Sequence, residues 1–340
     1  MLRYTIRRVL GAIPLLLVIS LILFTITELA PGDPAGQLPL TIPEEVRQAY
    51  RASLGLDGGF FTRWLSWVRA IFWYEPQHAI ESIGNFCIGD CIQEGDRIVS
   101  FSSRSPAIDI IYARLPRTIW VMTPALVFGI LIAVPIGVYS AYRQYSAFDN
   151  VGSFVSLIGW SMPVYWSGLL LIYAFSVNLG WFPSRYDPVH EVSWTDLGSI
   201  GTQIRNIALP VTVLTFFNAA QFSRFTRASV LDNLNLDYVR TARSKGLREF
   251  LVVNRHVLRN SMLPVVTLIA LSAAGIFSGA ILTETVFSIN GTGSLLIQAI
   301  FQADFPMLLT LTFFFAVMRV LFNIIADVLY GVLDPRIRYD

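Results

Sequence analysis

A chain of 340 residues that is 54% hydrophobic and only 14% charged carries far fewer charges than the roughly one-quarter typical of soluble domains. With a mean hydropathy of +0.57 and a formal net charge of +2, it excludes an ordinary soluble enzyme, and no nucleic-acid partner is expected. Its solvent is the lipid bilayer.

A bilayer core of about 30 Å needs about 20 apolar residues per helix. Six windows with few or no charges approach that length, near residues 9–29, 118–142, 151–179, 207–222, 262–282 and 307–329. The fourth is the shortest and contains Pro210. Continuous apolar runs satisfy their backbone in lipid as helices, so the expected fold class is an all-α polytopic membrane protein with six transmembrane helices.

Arg3, Arg7 and Arg8 precede the first window with no acid among them, which places the N-terminus in the cytoplasm. An even number of spans returns the C-terminus to the same side. The connection at 223–260 then lies inside as well, and it holds eight Lys/Arg against three Asp/Glu. The apolar run of the first window exceeds the core of a cleaved signal peptide, so an uncleaved anchor is expected. Orientation already accounts for the Arg7-Arg8 pair.

Residues 31–117 form a large external insertion between the first and second spans, too long to lack structure of its own. The stretch from Thr41 through Pro43, Glu44 and Glu45 reads as a helix start with acids in its first turn, stopping near Gly55. Phe60, Trp64, Trp67 and Ile71 recur at spacings of three and four. They describe an amphipathic helix ended by Pro76, which either packs on the spans or docks an external partner. Cys87 and Cys91 are the only cysteines. An oxidising compartment favours a disulfide between them, and a metal site would need ligands beyond His78.

Catalytic motifs are missing. The chain has no phosphate-binding G-x-x-x-x-G-K-[ST] and no H-E-x-x-H, and its histidines, His78, His190 and His256, are dispersed. No enzymatic activity, cofactor or metal is expected in this chain. Ser278 in "GIFSG" sits among small residues that permit close helix packing.

The cytoplasmic connection is more informative. Asn235 is placed to cap a helix with Asp237 in its first turn and Tyr238, Val239 and Ala242 on an apolar stripe. Lys245 falls in its last turn and Gly246 suits the left-handed residue that ends a helix. A second helix is expected from Leu247, because Leu247, Phe250, Leu251 and Leu258 recur at helical spacing. The positive-inside rule accounts for the charge alone. A capped helix, glycine turn and second helix with apolar residues beside cations suits insertion into another protein's groove.

This segment resembles the coupling loop, or EAA loop, of membrane subunits of bacterial ATP-binding cassette importers. The family pattern is Glu-Ala-Ala, three residues, Gly, nine residues, then Ile-x-Leu-Pro. Here Arg240, Thr241 and Ala242 fill the first three places and Gly246 the glycine, while His256 and Leu258 fill the Ile and Leu places. Arg259 stands where proline is expected, and Leu263-Pro264 follows five residues later. "YVRTARSKGL" and "HVLRNSMLPVV", together with Pro31-Gly32-Asp33-Pro34, "GAILTETVFSINGTGSLLIQAI" and "LYGVLDPRIRYD", look like the dipeptide, oligopeptide and nickel permease branch.

The resemblance implies the type I importer permease fold, with residues 1–30 as the first span, 31–117 as the periplasmic insertion, and 118–340 as a five-helix core whose coupling loop spans 224–260. It implies a multi-pass protein of the bacterial inner membrane that forms a pore with a homologous second permease subunit. Two ATP-binding subunits would bind ATP and Mg and dock on Asp237, Tyr238, Arg240, Thr241, Ala242, Lys245, Gly246 and Leu247. An external solute-binding protein would deliver the substrate, and the coupling helix would convert ATP hydrolysis into alternating access. Peptides are the expected substrate, with oligosaccharide, nickel and glutathione as alternatives. The competing class is an ATPase-independent secondary transporter or channel, which commonly shows broken spans in both halves.

Arg319, Asn323 and Glu284 are the candidates for a translocation path. Arg319 lies midway along the sixth window, where a cation costs roughly 2.5 to 3.5 kcal/mol on insertion scales. It is expected either to pair with Glu28 or Asp327 or to face the translocation path, where Asn323 shares its helix face. Glu284, at the outer end of the fifth window, either lines the external mouth or is a solvated end-of-helix acid.

Overall fold

The computed structural model describes residues 2–29, 58–84, 97–188 and 195–333, with Pro43, Glu45, Val46, Gln48, His190, Val192 and Ser193. The helix expected from Thr41 falls for the most part outside these residues, as does the Cys87–Cys91 pair. The described residues are almost wholly helical. Four helical stretches are long and apolar enough to cross a membrane: Thr5–Leu29, Ala107–Tyr142, Glu249–Val286 and Phe305–Leu329.

The elements are α1 (Leu2–Leu29), α2 (Phe60–Arg69), a π turn (Ala70–Tyr74), α3 (Glu75–Gly84), α4 (Ala107–Tyr142), α5 (Ala147–Ser161), α6 (Val164–Leu171), a second π turn (Ile172–Asn178), α7 (Leu197–Leu234), α8 (Asp237–Ser244), α9 (Glu249–Leu251), a third π turn (Val252–Val257), α10 (Leu258–Ala273), α11 (Gly275–Ser278), α12 (Ile281–Val286), α13 (Thr292–Phe301) and α14 (Phe305–Leu333).

The chain divides into two compact units. One comprises Met1–Arg8, Arg117–Ser294 and Arg319–Asp340, and the other Val9–Pro116 and Leu295–Met318.

In the first unit the 38-residue α7 is the central element, longer than the window around Pro210 foretold. Polar side chains buried in it, Gln203 and Asn206 among them, lower its hydropathy without breaking the helix. Ser223 exchanges a hydrogen bond with Ser156 of α5 at 3.0 Å, and Ser229 donates to the Ser261 carbonyl of α10 at 2.7 Å. Interhelical hydroxyl bonds of this kind join helices where lipid offers no partner. Asp149, in the first turn of α5, accepts both Arg227 Nε at 2.6 Å and Nη2 at 2.8 Å from α7.

The third window is not one continuous helix. α5 and the stretch Val164–Asn178 meet at an angle of 101°. Pro163 supplies no N–H, and Met162 before it is held extended at φ −78°, ψ 131°, as a residue preceding proline prefers.

In the second unit α2 packs on α1 and α14 as its periodicity predicted, with Phe24, Trp67, Leu309 and Phe313 buried together. Pro76 does not end this helical segment. It occupies the second position of α3, where a missing N–H is tolerated, and the preceding π turn carries the chain past it. Arg97, whose side chain is 6% exposed, reaches Glu75 at 2.9 Å and both carboxylate oxygens of Asp109 at 2.8 and 2.7 Å. Burial would lower the guanidinium's affinity for its proton, but the two acids outweigh it and hold the group above its ordinary value.

Asp304, 1% exposed, caps α14 through the Met307 amide at 3.2 Å. It also accepts the amides of Phe101 and Ser102 and the hydroxyls of Ser100 and Ser102. One carboxylate thus gathers five donors from two segments about 200 residues apart in sequence. Asp304→Ala strands these donors, and a loss of roughly 3 kcal/mol or more is expected. Thermal unfolding in detergent checks it, with Asp304→Asn as the milder control.

Candidate functional site

The connection between α7 and α10 is built as a rigid wedge. α8 begins at Asp237 with Leu236 as its N-cap, while Asn235 serves instead as the C-cap of α7. The cap is displaced because α7 runs to Leu234, leaving Asn235 to close the longer helix. Tyr238 donates its hydroxyl to Asn233 Oδ1 at 2.9 Å.

Gly246 adopts φ +75°, the left-handed region that penalises residues with a Cβ. Its amide donates to the Arg243 carbonyl at 2.9 Å. Arg243 then bridges the turn to Glu249, with Nη2 at 2.6 Å and Nε at 3.2 Å. This contact raises the proton affinity of the guanidinium.

The face that α8 turns inward differs from expectation. Val239 and Ala242 are buried against Val230, Leu234, Val252 and Val257 of their own chain, so the apolar stripe welds α8 to α7 instead of standing free. The exposed apolar residues are Leu236, Leu247, Phe250 and Leu251, with Phe250 77% exposed. Beside them lie Asp237, Arg240, Thr241, Lys245 and Gly246, all exposed, while Tyr238 is half-buried.

The second helix starts at Glu249, two residues after Leu247, and winds as a π turn over Val252–Val257. The wider turn rotates Val252, Val253 and Val257 inward and leaves Leu247, Phe250 and Leu251 outside. Spacing for an ideal α-helix could not register that rotation.

Glu284 is not a solvated acid. It is 1% exposed. Its Oε1 accepts Thr118 Oγ1 at 2.9 Å and its Oε2 the Ser294 amide at 2.8 Å, near the N-terminus of α13. A Cβ on Gly291 would stand 2.6 Å from Oε2, so the glycine is needed for this close approach. Thr118 also accepts the Thr292 amide at 2.8 Å, and Thr292 donates to the Phe277 carbonyl at 2.9 Å. The arrangement secures the turn after α12.

Arg319 has neither expected partner. Glu28 pairs with Arg63 and Asp327 with Arg8, while Arg319 donates to the Leu271 carbonyl at 2.7 Å. That carbonyl belongs to the last turn of α10, where helix carbonyls lack intrahelical partners and a cation is favoured. Arg319 and Asn323 are both exposed. Among the described residues no group of three or more His, Cys, Asp or Glu could hold a metal ion.

Helices of membrane-spanning length, with a folded wedge between two of them, define an all-helical polytopic membrane protein. Residues 133–339 match the family described as binding-protein-dependent transport system inner membrane component, and residues 1–122 match the N-terminal membrane component of such systems. The oligopeptide transport system permease protein AppB of Bacillus subtilis (strain 168) is 37% identical over 340 residues, covering 99% of each chain. The glutathione transport system permease protein GsiC of Escherichia coli (strain K12) is 34% identical over 342 residues, covering 100% of each. Among solved structures, inward-facing MetNI methionine ABC transporter shares the fold, with a TM-score of 0.52 at 14% identity over 67% of this chain and 97% of that one.

The chain belongs to the binding-protein-dependent transport system inner membrane component family. It is a multi-pass inner-membrane protein and the pore-forming permease subunit of an ABC importer.

Glu284→Ala leaves the buried Ser294 amide without its acceptor and removes one partner of the Thr118 hydroxyl, and a loss of about 2 to 3 kcal/mol is expected. A thermal shift in detergent measures it. Unchanged stability would mean that the carboxylate is solvated after all.

Proposed function

We propose that this subunit imports peptides handed over by an external solute-binding protein, pairs with a homologous permease, and is driven by two ATP-hydrolysing subunits docked on the wedge at 235–258. ATP and Mg belong to those subunits. The relatives named for oligopeptide and glutathione transport support a peptide-class solute. Oligosaccharide and nickel are the alternatives within the same importer class.

The proposed topology has six spans with both termini cytoplasmic. α7 supplies the fourth span, the bent α5–α6 pair the third, and residues 31–117 lie outside the membrane. Residues 118–340 form the permease core. A link between Cys87 and Cys91 in the external segment belongs to the same reading.

The observation that carries the proposal is the two-sidedness of α8. Its inner face is fused to the cytoplasmic end of α7 through Val239 and Ala242. Its outer face presents Asp237, Arg240, Thr241 and Lys245, followed by Leu247 and Phe250. A force applied to the outer face passes directly to a 38-residue helix. Coupling needs this rigidity, because a loop that yielded would absorb the stroke.

Gly246→Val tests the coupling. Beyond its two chain neighbours, nothing among the described residues lies within 4 Å of a Cβ placed there, so the cost within the subunit is the left-handed strain, about 1 kcal/mol. Membrane insertion should be normal, while uptake and transport-coupled ATP hydrolysis are lost. Normal uptake by the variant defeats the proposal. Transport by this chain expressed alone, without copurifying ATPase subunits, would instead establish an ATPase-independent transporter.

A further inference from the structure

We infer that Arg319, with Asn323 one turn beyond it, forms a carboxylate-binding subsite on the translocation path that takes the free C-terminal carboxylate of the transported peptide. This rests on the peptide-import reading above and adds to it the chemical group recognised within the membrane.

Arg319 is the fifteenth residue of the 29-residue α14. With a rise of 1.5 Å per residue it stands about 21 Å from either helix end, close to the centre of the bilayer. A guanidinium there is not left against lipid without large cost. Both acids suited to neutralising it are engaged by other arginines. Its contact with the Leu271 carbonyl is to a neutral acceptor, and among the described residues no acid forms an ion pair with it.

The faces of α14 show which way this charge turns. Leu321, Ile325 and Leu329 are each about two-fifths exposed and form an apolar strip suited to lipid. At 100° per residue, Arg319 and Asn323 lie some 140° around the helix from the middle of that strip. The exposed polar strip therefore points away from the lipid-facing side. In an importer permease that direction leads to the path or to the second permease.

The remaining donors suit a planar anion. The Leu271 carbonyl takes Nη1 and fixes the fork, leaving further N–H groups for a bidentate carboxylate. The Asn323 amide adds a donor from the same face. Peptides with a free C-terminus carry the matching group.

The whole transporter, with its ATPase subunits and solute-binding protein, is reconstituted in proteoliposomes. Uptake is compared for alanine peptides of two to five residues and for their C-terminal amides. The binding protein is common to all arms, so a change in the acid-to-amide ratio between permease variants reports on this chain.

Arg319→Met is expected to lower free-acid uptake about tenfold or more and leave amide uptake unchanged. Arg319→Lys should recover part of the preference. Asn323→Asp, which places a carboxylate beside the guanidinium, should lower free-acid uptake selectively. Equal loss of acid and amide, unchanged uptake of both, or loss of the second permease from the purified complex overturns the assignment, the last by making Arg319 an intersubunit ion-pair residue. A wild-type transporter that carries neither peptide nor amide refutes peptide import itself, and the assignment falls with it. A wild type that imports peptides while Arg319→Met keeps its ratio defeats the subsite alone.

Discussion

The structure depends on one constraint: inside a bilayer, every polar or charged group must find its partners within the protein. Three buried carboxylates meet it in the same way. Asp149, Glu284 and Asp304 are 2%, 1% and 1% exposed, and each accepts backbone amides beside the start of a helix. Such amides have no intrahelical acceptor and carry the positive end of the helix dipole. A carboxylate placed there offsets its desolvation while joining segments distant in sequence. Asp149 adds the Arg227 guanidinium, and the N-cap Ser146 accepts the Asp149 amide while Asp149 itself accepts the Tyr145 amide.

The same constraint ties the long α7 to its neighbours. α7 crosses its unit without a break, joined to α5 and α10 by buried hydroxyls and to α8 by aliphatic packing. The Arg243–Glu249 bridge closes the glycine turn from outside. The backbone departs from the α-helix at the bend at Pro163, in the π turns, and at the left-handed Gly246 and Gly279.

The wedge between α7 and α10 was largely legible in the sequence, because a left-handed glycine between two short helices leaves a local signature. The caps were misplaced by one residue, since Asn235 serves whichever helix claims it and α7 proved longer than its apolar window. The bend in the third span was missed although Pro163 is visible. Hydropathy averages over a proline, whereas the backbone cannot. The inward face of the second helix was not legible, because the π turn carries Val252, Val253 and Val257 inward while Phe250 stays exposed.

By itself, the sequence determined that the chain lives in a membrane as apolar helices, that its basic loop carries a glycine turn, and that its motifs are those of importer permeases. These properties follow from composition, short-range periodicity and single-residue backbone preferences. Tertiary structure alone decided that Glu284 is buried against Thr118, 166 residues away, that Val239 and Ala242 face their own chain, and that Arg319 meets a carbonyl in place of an acid. Each depends on which distant group arrives at hydrogen-bond or van der Waals range. Helical periodicity specifies the face on which a residue lies, and only packing specifies what that face meets.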